Sequence, residues 1–168
     1  MSIVLKVSIV IIVATLLIMG ALLLSKYIKS KFPITDYISF KESFELTDIP
    51  VVTFRQGKRK LNFILDTGSD ECHINLPLVS VLEHKLTNYG KNVTGLEGNK
   101  IPCNIINMDI SYGGHSFNSD FLVTDLTKVF EGIKKETGVQ LHGILGCSFF
   151  NRYKYILDFD KMIFYTKK

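Results

Sequence analysis

One acidic residue stands where a carboxylate could do chemistry: Asp66, in the run Asp-Thr-Gly-Ser at positions 66–69. The apolar run before it, Leu61–Leu65, and the run after it, Cys72–Leu76, are both typical of β-strands. Asp66 is therefore predicted at the end of an apolar strand, on a turn where Gly68 is free to adopt a positive φ. A carboxylate held in this way can take up or release a proton in an acid–base reaction.

The reaction that fits these residue types is hydrolysis of a peptide bond by two carboxylates. Two carboxylates about 3 Å apart cannot both ionise, so they share one proton. The ionised member activates a water as general base, and the protonated member donates to the carbonyl oxygen as general acid. We expect Gly68 to offer its N–H to the carboxylates and Thr67 to bond across to the partner loop. Ser69 is expected to bond the outer carboxylate oxygen.

The second carboxylate has to come from elsewhere, because the chain contains this turn once. Glu136-Thr137-Gly138 has similar letters but follows a Lys-rich helix, and we interpret it as the end of that helix. A second copy of the chain, related by a two-fold axis through the site, would supply the second Asp66. The pattern thus predicts a homodimer that acts on a peptide or protein substrate.

A downstream run, Gly-Ile-Leu-Gly at positions 143–146 followed by Phe149-Phe150, completes a recognisable set. Together with the strand that ends in Asp66, it resembles the retropepsin-like aspartic peptidases, especially the single-lobe, membrane-anchored bacterial kind. The resemblance covers residues 45–166. It implies that Asp66 is catalytic, supported in its loop by Thr67, Gly68 and Ser69.

The same resemblance implies roles for three further segments. Ile144, Leu145 and Gly146 would form a strand that crosses the catalytic loop in a ψ-shaped motif, with a helix after it at Ser148–Arg152. The tip at Gly95, Leu96, Glu97 and Gly98 would be a flap that closes over substrate, although an ordinary hairpin tip is the alternative. The last strand, Met162–Thr166, would pair across the dimer.

The rest of the chain is predicted to be mainly β. Weak alternation over Phe40–Leu46 suggests a first strand, and residues 85–124 are rich in strands and glycine turns. Leu126, Val129, Phe130 and Ile133 recur at helical spacing up to Gly138. The fold class is therefore a closed or partly closed acid-protease β-barrel, a single retropepsin-like lobe with two or three short helices, preceded by one transmembrane helix.

The N-terminal run Val7–Leu24 carries no charge over 18 residues and is long enough to cross a membrane as a helix. A cleaved signal peptide is the competing interpretation, but its apolar region is usually shorter. We divide the chain into an anchor at 1–30, a linker at 31–44 and a protease domain at 45–168. Lysines after the run favour a single-pass protein with its catalytic domain in the cytoplasm, and the opposite side stays open.

Composition argues against other classes of function. The net charge of +4 is mild and scattered, which does not favour nucleic acid as a partner. The three cysteines form no C-x-x-C pair, so we expect neither a disulfide framework nor a metal site. Nothing in the sequence calls for a cofactor. The four histidines are dispersed, and His142 stands just before Gly143.

Two hypotheses of different classes remain. The first is an aspartic endopeptidase that is tethered to the membrane by its N-terminal helix and assembles its catalytic pair across a homodimer. The alternative is a non-catalytic, membrane-anchored dimerisation or peptide-binding module on the same fold. An intact Asp-Thr-Gly-Ser run favours the enzyme, because a binding module has no use for a buried pair of carboxylates.

Overall fold

The computed structural model describes residues 11–24, 34–94 and 100–167. The chain divides into two units: residues 1–36 with 167–168, and residues 37–166. In the first unit, residues 11–24 form helix α1, whose side chains are exposed. In the ranges described, no helix is both long enough and apolar enough to cross a membrane. Residues 1–10 and 25–30 of the predicted anchor lie outside the described residues, so the anchor stays a prediction.

The second unit is built mainly from strands, as the alternating sequence predicts. In chain order the elements are β1 (Ile34–Ser39), α2 (Lys41–Thr47), β2 (Val51–Gln56), β3 (Arg59–Leu65), β4 (His73–Asn75), a 3₁₀ helix (Leu76–Val81), β5 (Lys85–Thr94), β6 (Lys100–Tyr112), β7 (His115–Thr124), α3 (Thr127–Thr137), β8 (Gly143–Leu145), α4 (Cys147–Tyr153), β9 (Tyr155–Asp158) and β10 (Ile163–Lys167).

Six of these strands close into a barrel. The larger sheet has the order β2-β3-β8-β4-β7-β6-β5, and β2 also pairs with β6. That extra pairing, between Arg55 and Ser111, closes the ring and leaves β5 outside it. The prediction of a mainly β, closed barrel is confirmed.

Aromatic side chains fill the barrel, because alternate residues of each strand point inward. On β3 the pattern is clear: Leu61, Phe63 and Leu65 are buried, and the residues between them are only partly covered. Phe54 packs edge-on against Phe63, with ring centroids 6.1 Å apart. The inward rings hold the strand that leads to Asp66 in a fixed position.

The segment before the barrel differs from the prediction. Phe40–Leu46 was expected to be a strand, yet Lys41–Thr47 forms α2, and a strand, β1, precedes it inside the predicted linker. Phe40 and Phe44 explain the difference, because residues four apart share a helix face and both rings pack against Phe159. After helix α1, the described part of the chain has three α-helices, in agreement with the two or three short helices predicted after the anchor.

A second, smaller sheet has the order β1-β10-β9. β10 therefore lies between two strands of its own chain, and Tyr165 of β10 pairs with Ile156 of β9. The predicted pairing of Met162–Thr166 across a dimer stays a prediction, and it would require β1 or β9 to give up its place beside β10.

Candidate active site

Asp66 lies at the end of β3, where the sequence predicts it. Its N–H donates to the carbonyl of Leu145 on β8, at 3.0 Å. The N–H of Gly68 donates to Asp66 Oδ1 at 2.8 Å. Asp66 is half-buried, while Thr67 and Gly68 are exposed. The carboxylate is thus fixed by backbone bonds on its own chain, and the tip of its turn faces outward.

The predicted ψ-shaped crossing is present. β8 runs between β3 and β4, the two strands that flank the catalytic turn. Ile144 pairs with Ile64 of β3 in parallel register and with His73 of β4 in antiparallel register. Ile144 and Leu145 therefore lie beside the end of β3, and Gly146 comes directly after them.

Both glycines around β8 are required by close packing. A Cβ at Gly146 would lie 2.7 Å from the carbonyl oxygen of Ser69 and would also collide with the backbone of Glu71. A Cβ at Gly143 would collide with the carbonyl of His73 and the ring of Phe63. Contacts this short are not tolerated, so the two positions accept no side chain.

The start of α4 holds the far side of the catalytic turn. The N–H groups of Cys147 and Ser148 donate to the carbonyls of Ser69 and Asp70, each at 2.8 Å. The thiol of Cys147 also donates to the carbonyl of Thr67, at 3.2 Å. This thiol is half-buried and bonds to the active-site turn, a contact that its sequence neighbours did not predict.

Ser69 does not do what was predicted within this chain. Its hydroxyl donates to the carbonyl of Glu71 at 2.8 Å instead of to the Asp66 carboxylate. The reason is local: the chain turns back after Ser69, which brings the carbonyl two residues later within reach. Thr67 is exposed at the tip of the turn, and its predicted bond to a partner loop stays a prediction.

The predicted flap lies outside the described residues: Gly95, Leu96, Glu97 and Gly98 all fall in the range 95–99. The strands that lead to it are described. β5 and β6 pair antiparallel, from Lys85 with Asn107 to Thr94 with Lys100. A hairpin therefore extends up to the predicted flap, whose own role stays a prediction.

An ion pair joins that hairpin to the catalytic loop. Lys91 Nζ on β5 lies 2.5 Å from Glu71 Oε1, and this hydrogen bond raises the pKa of Lys91. A pocket of about 250 Å³ lies beside the pair. Its lining includes Glu71, Cys72, Lys91, Ile105, Asp120 and Leu122.

Two half-buried histidines flank the crossing strand. His73 Nδ1 lies 3.0 Å from Thr124 Oγ1, so this bond ties β4 to the end of β7. Burial lowers the pKa of His73, against the opposing effect of the Glu71 and Asp66 carboxylates. His142 Nδ1 accepts a hydrogen bond from the N–H of Asn62 at 2.9 Å, and burial lowers its pKa as well. The sequence marked His142 only by its place before Gly143.

The cysteines are free, and Cys72 and Cys103 are buried. Burial raises the pKa of the Cys72 thiol, which keeps it protonated and unreactive. Within the residues described, no group of three or more His, Cys, Asp or Glu side chains is placed to hold a metal ion.

Residues 50–149 match the family model Asp_protease_2, described as aspartyl protease. This match spans more than half of the chain, so the chain belongs to the aspartyl protease family. The matched range contains both the Asp66 turn and β8. No curated protein matches the sequence at a significant level.

Two solved structures have a similar architecture. The retropepsin-like aspartic protease from Rickettsia conorii has a TM-score of 0.50 and 18% identity, over 79% of this chain and 90% of that chain. EIAV protease complexed with the inhibitor HBY-793 has a TM-score of 0.46 and 19% identity, over 62% of this chain and 86% of that chain. The first of these supports a retropepsin-like fold for the barrel.

Proposed function

We propose that this protein is an aspartic endopeptidase whose catalytic pair consists of Asp66 from each of two copies of the chain. The observation that carries the proposal is the geometry of the turn. Asp66 is anchored from within by Leu145 and Gly68, while the adjoining Thr67 and Gly68 are exposed. A single fixed carboxylate next to an exposed tip is half of a two-fold site.

The reaction follows from two carboxylates that share a proton. The ionised Asp66 removes a proton from a water as the water attacks the peptide carbonyl, and the protonated one gives its proton to the carbonyl oxygen. The Gly68 N–H, which donates to Oδ1, orients the carboxylate of its own Asp66. The peptide would lie extended beneath the hairpin of β5 and β6 and pair with it as a strand.

The test is cleavage of a mixed peptide library by the full chain from about pH 4 to pH 7, the range in which a shared-proton pair works. Wild type is compared with Asp66→Asn and with the matched control Asp160→Asn, which changes an exposed carboxylate in the turn between β9 and β10. We expect cleavage that rises faster than linearly with protein concentration, is lost in Asp66→Asn and is kept in Asp160→Asn.

Two other results would redirect the assignment. A folded dimer without cleavage would favour the non-catalytic peptide-binding module on the same fold. Cleavage that survives Asp66→Asn would show that Asp66 is not the catalytic group.

We further propose that the N-terminal helix anchors the protein in a membrane as a single pass, with the barrel on the cytoplasmic side. The apolar side chains of α1 support this, since Leu17 and Leu22 are 70% and 66% exposed. Resistance to alkaline extraction from membranes, lost in Leu17→Lys, would support the anchor. Digestion of a C-terminal tag in inside-out vesicles but not in intact cells would support the cytoplasmic side.

A further inference from the structure

His142 bonds to both strands that flank β8. Its N–H donates to the carbonyl of Asn62 on β3 at 2.9 Å, and its carbonyl accepts from the N–H of Asn75 on β4 at 3.0 Å. Its ring adds a third bond, because Nδ1 accepts from the N–H of Asn62 at 2.9 Å. One residue therefore ties the strand that carries Asp66 to the strand that follows the catalytic turn.

The ring replaces a missing backbone acceptor. Backbone pairing between β3 and β8 begins with Phe63 and Gly143, so Asn62 lies one position before the ladder. Without the ring, the half-buried N–H of Asn62 would lose this hydrogen-bond partner. A protonated ring has no lone pair on Nδ1 and cannot accept this bond.

The ties continue outward to helix α3. Oδ1 of Asn75 accepts from the N–H of Leu126 at 2.9 Å, just before that helix begins. Ile64 and Ile144, which pair in register, pack against the buried cluster around Phe130 of α3. β8 is thus held at one end by His142 and along its outer face by α3, and its last carbonyl, on Leu145, receives the N–H of Asp66.

We propose that His142 is a positioning residue for Asp66: its neutral ring locks β8 against β3, and protonation of the ring releases that lock and limits the reaction at acid pH. This inference rests on the proposed peptidase function. In this role, His142 holds β8 so that the carbonyl of Leu145 stays in place to accept from the N–H of Asp66.

The surroundings of the ring favour the locked state. The ring accepts from the uncharged backbone N–H of Asn62 on β3, and the backbone carbonyl of His142 accepts from the N–H of Asn75 on β4. His73 on β4 and Lys60 and Asp66 near the ends of β3 are titratable, and the charged residues of α3 are exposed. Burial is the main cause that lowers the pKa of His142, and the opposing effect of the Asn62 backbone is smaller, so the ring stays neutral in more acidic solution than an exposed histidine does.

The first test is the pH profile of peptide cleavage by the full chain. His142→Asn keeps an acceptor near the Nδ1 position but cannot titrate, whereas His142→Ala removes the acceptor. We expect His142→Ala to lower kcat tenfold or more with little change in KM, since transition-state geometry is lost and not substrate binding. His142→Asn should restore most of kcat near pH 7 and remain active at lower pH than wild type.

A matched control is His84→Asn, because His84 Nδ1 bonds only locally, to the carbonyl of Leu82. It should keep both kcat and the wild-type profile. The proposal fails if His142→Ala cleaves as wild type does at every pH, or if His142→Asn keeps the wild-type acid limit.

A second measurement does not need activity. Hydrogen-exchange protection factors of the Asn62 and Asp66 amides should fall in wild type as His142 protonates, with NMR reporting the titration, and should stay constant in His142→Asn. Constant protection in wild type while the ring titrates would overturn the lock. If wild type cleaves no peptide, the proposed function fails, while the exchange result still decides whether His142 positions Asp66.

Discussion

The catalytic turn and the β5–β6 hairpin are held in opposite ways. The turn is bound by backbone hydrogen bonds to β8 and to the start of α4. Gly143 and Gly146 lie so close to neighbouring backbone that neither position has room for a Cβ. The hairpin strand β5 lies outside the closed ring and pairs with β6, with a shift in register between Leu86 and Gly90. In the described residues, an exposed ion pair between Lys91 and Glu71 joins the hairpin to the turn.

This difference matches what each region has to do in the proposed reaction. A reacting carboxylate must keep its geometry, since small displacements cost large factors in rate. A segment that covers a substrate has to admit and release it. The comparison therefore predicts that substitutions at the turn change the free energy of unfolding strongly and that substitutions at the hairpin change it little.

The largest effect is expected from Gly146→Ala. The added Cβ would meet the carbonyl of Ser69 at 2.7 Å and the backbone of Glu71, with no flexible side chain to give way. We expect the free energy of unfolding, measured by urea denaturation, to fall by about 3 kcal/mol. Gly132→Ala is the control: it lies in α3 with open space around it, and alanine should stabilise that helix by about 0.5–1 kcal/mol. Equal stabilities for the two variants would refute the packing argument.

The next largest effect is a pH dependence of the free energy of unfolding, which originates at two histidines near the turn. Burial lowers the pKa values of His73 and His142, so between the folded and unfolded values the unfolded chain binds more protons. The free energy of unfolding should therefore be greatest above about pH 6.5 and fall as the pH drops below that value. The double variant His73→Asn/His142→Asn should show a flatter profile, and a profile parallel to that of wild type would contradict this origin.

A third test lies on β7, the strand between the two regions, because it pairs with β4 on one side and β6 on the other. Ser119 of β7 is 4% exposed, and its hydroxyl has no hydrogen-bond partner in the described part of the chain. Ser119→Ala removes this group, and we expect a gain of about 1 kcal/mol in calorimetry or denaturation. Ser116→Ala on the exposed end of β7 should change stability by less than about 0.5 kcal/mol.

The smallest effect should come from the hairpin. Lys91→Met breaks the ion pair with Glu71, whose side chains are 51% and 36% exposed. Solvent and salt screen such pairs, so the free energy of unfolding should change by less than about 0.5 kcal/mol. Lys85→Met on the same strand is the matched control. A loss comparable to that of Gly146→Ala would mean that the hairpin is as firmly held as the turn.

Much of the site could be predicted because it is local in sequence. A few consecutive residues are enough to recognise each of its parts: the apolar strand, the Asp-Thr-Gly-Ser turn and the Gly-Ile-Leu-Gly run. The crossing of β8 beside the catalytic turn was predicted only through the resemblance to a family. Ile64 and Ile144 pair across the two strands, but neither segment's own sequence indicates its partner.

The parts that could not be predicted depend on tertiary contacts. Phe40 and Phe44 fit a strand or a helix, and Phe159, far along the chain, favours the helix. Ser69 and Cys147 each bond to a carbonyl whose position is known only once the turn is folded. The role proposed for the His142 ring depends on the N–H of Asn62, which lies on another strand.

The place of β10 between β1 and β9 bears on how this domain can be released from its N-terminal helix. β1 begins at Ile34, within the segment 31–44 that the sequence analysis assigned to a linker. A processing cut before Ile34 leaves the small sheet complete. A cut after Ser39 removes its outer strand and exposes an edge of β10. Maturation by proteolysis would therefore be restricted to the stretch before β1, and a shorter product would carry a strand edge prone to aggregation.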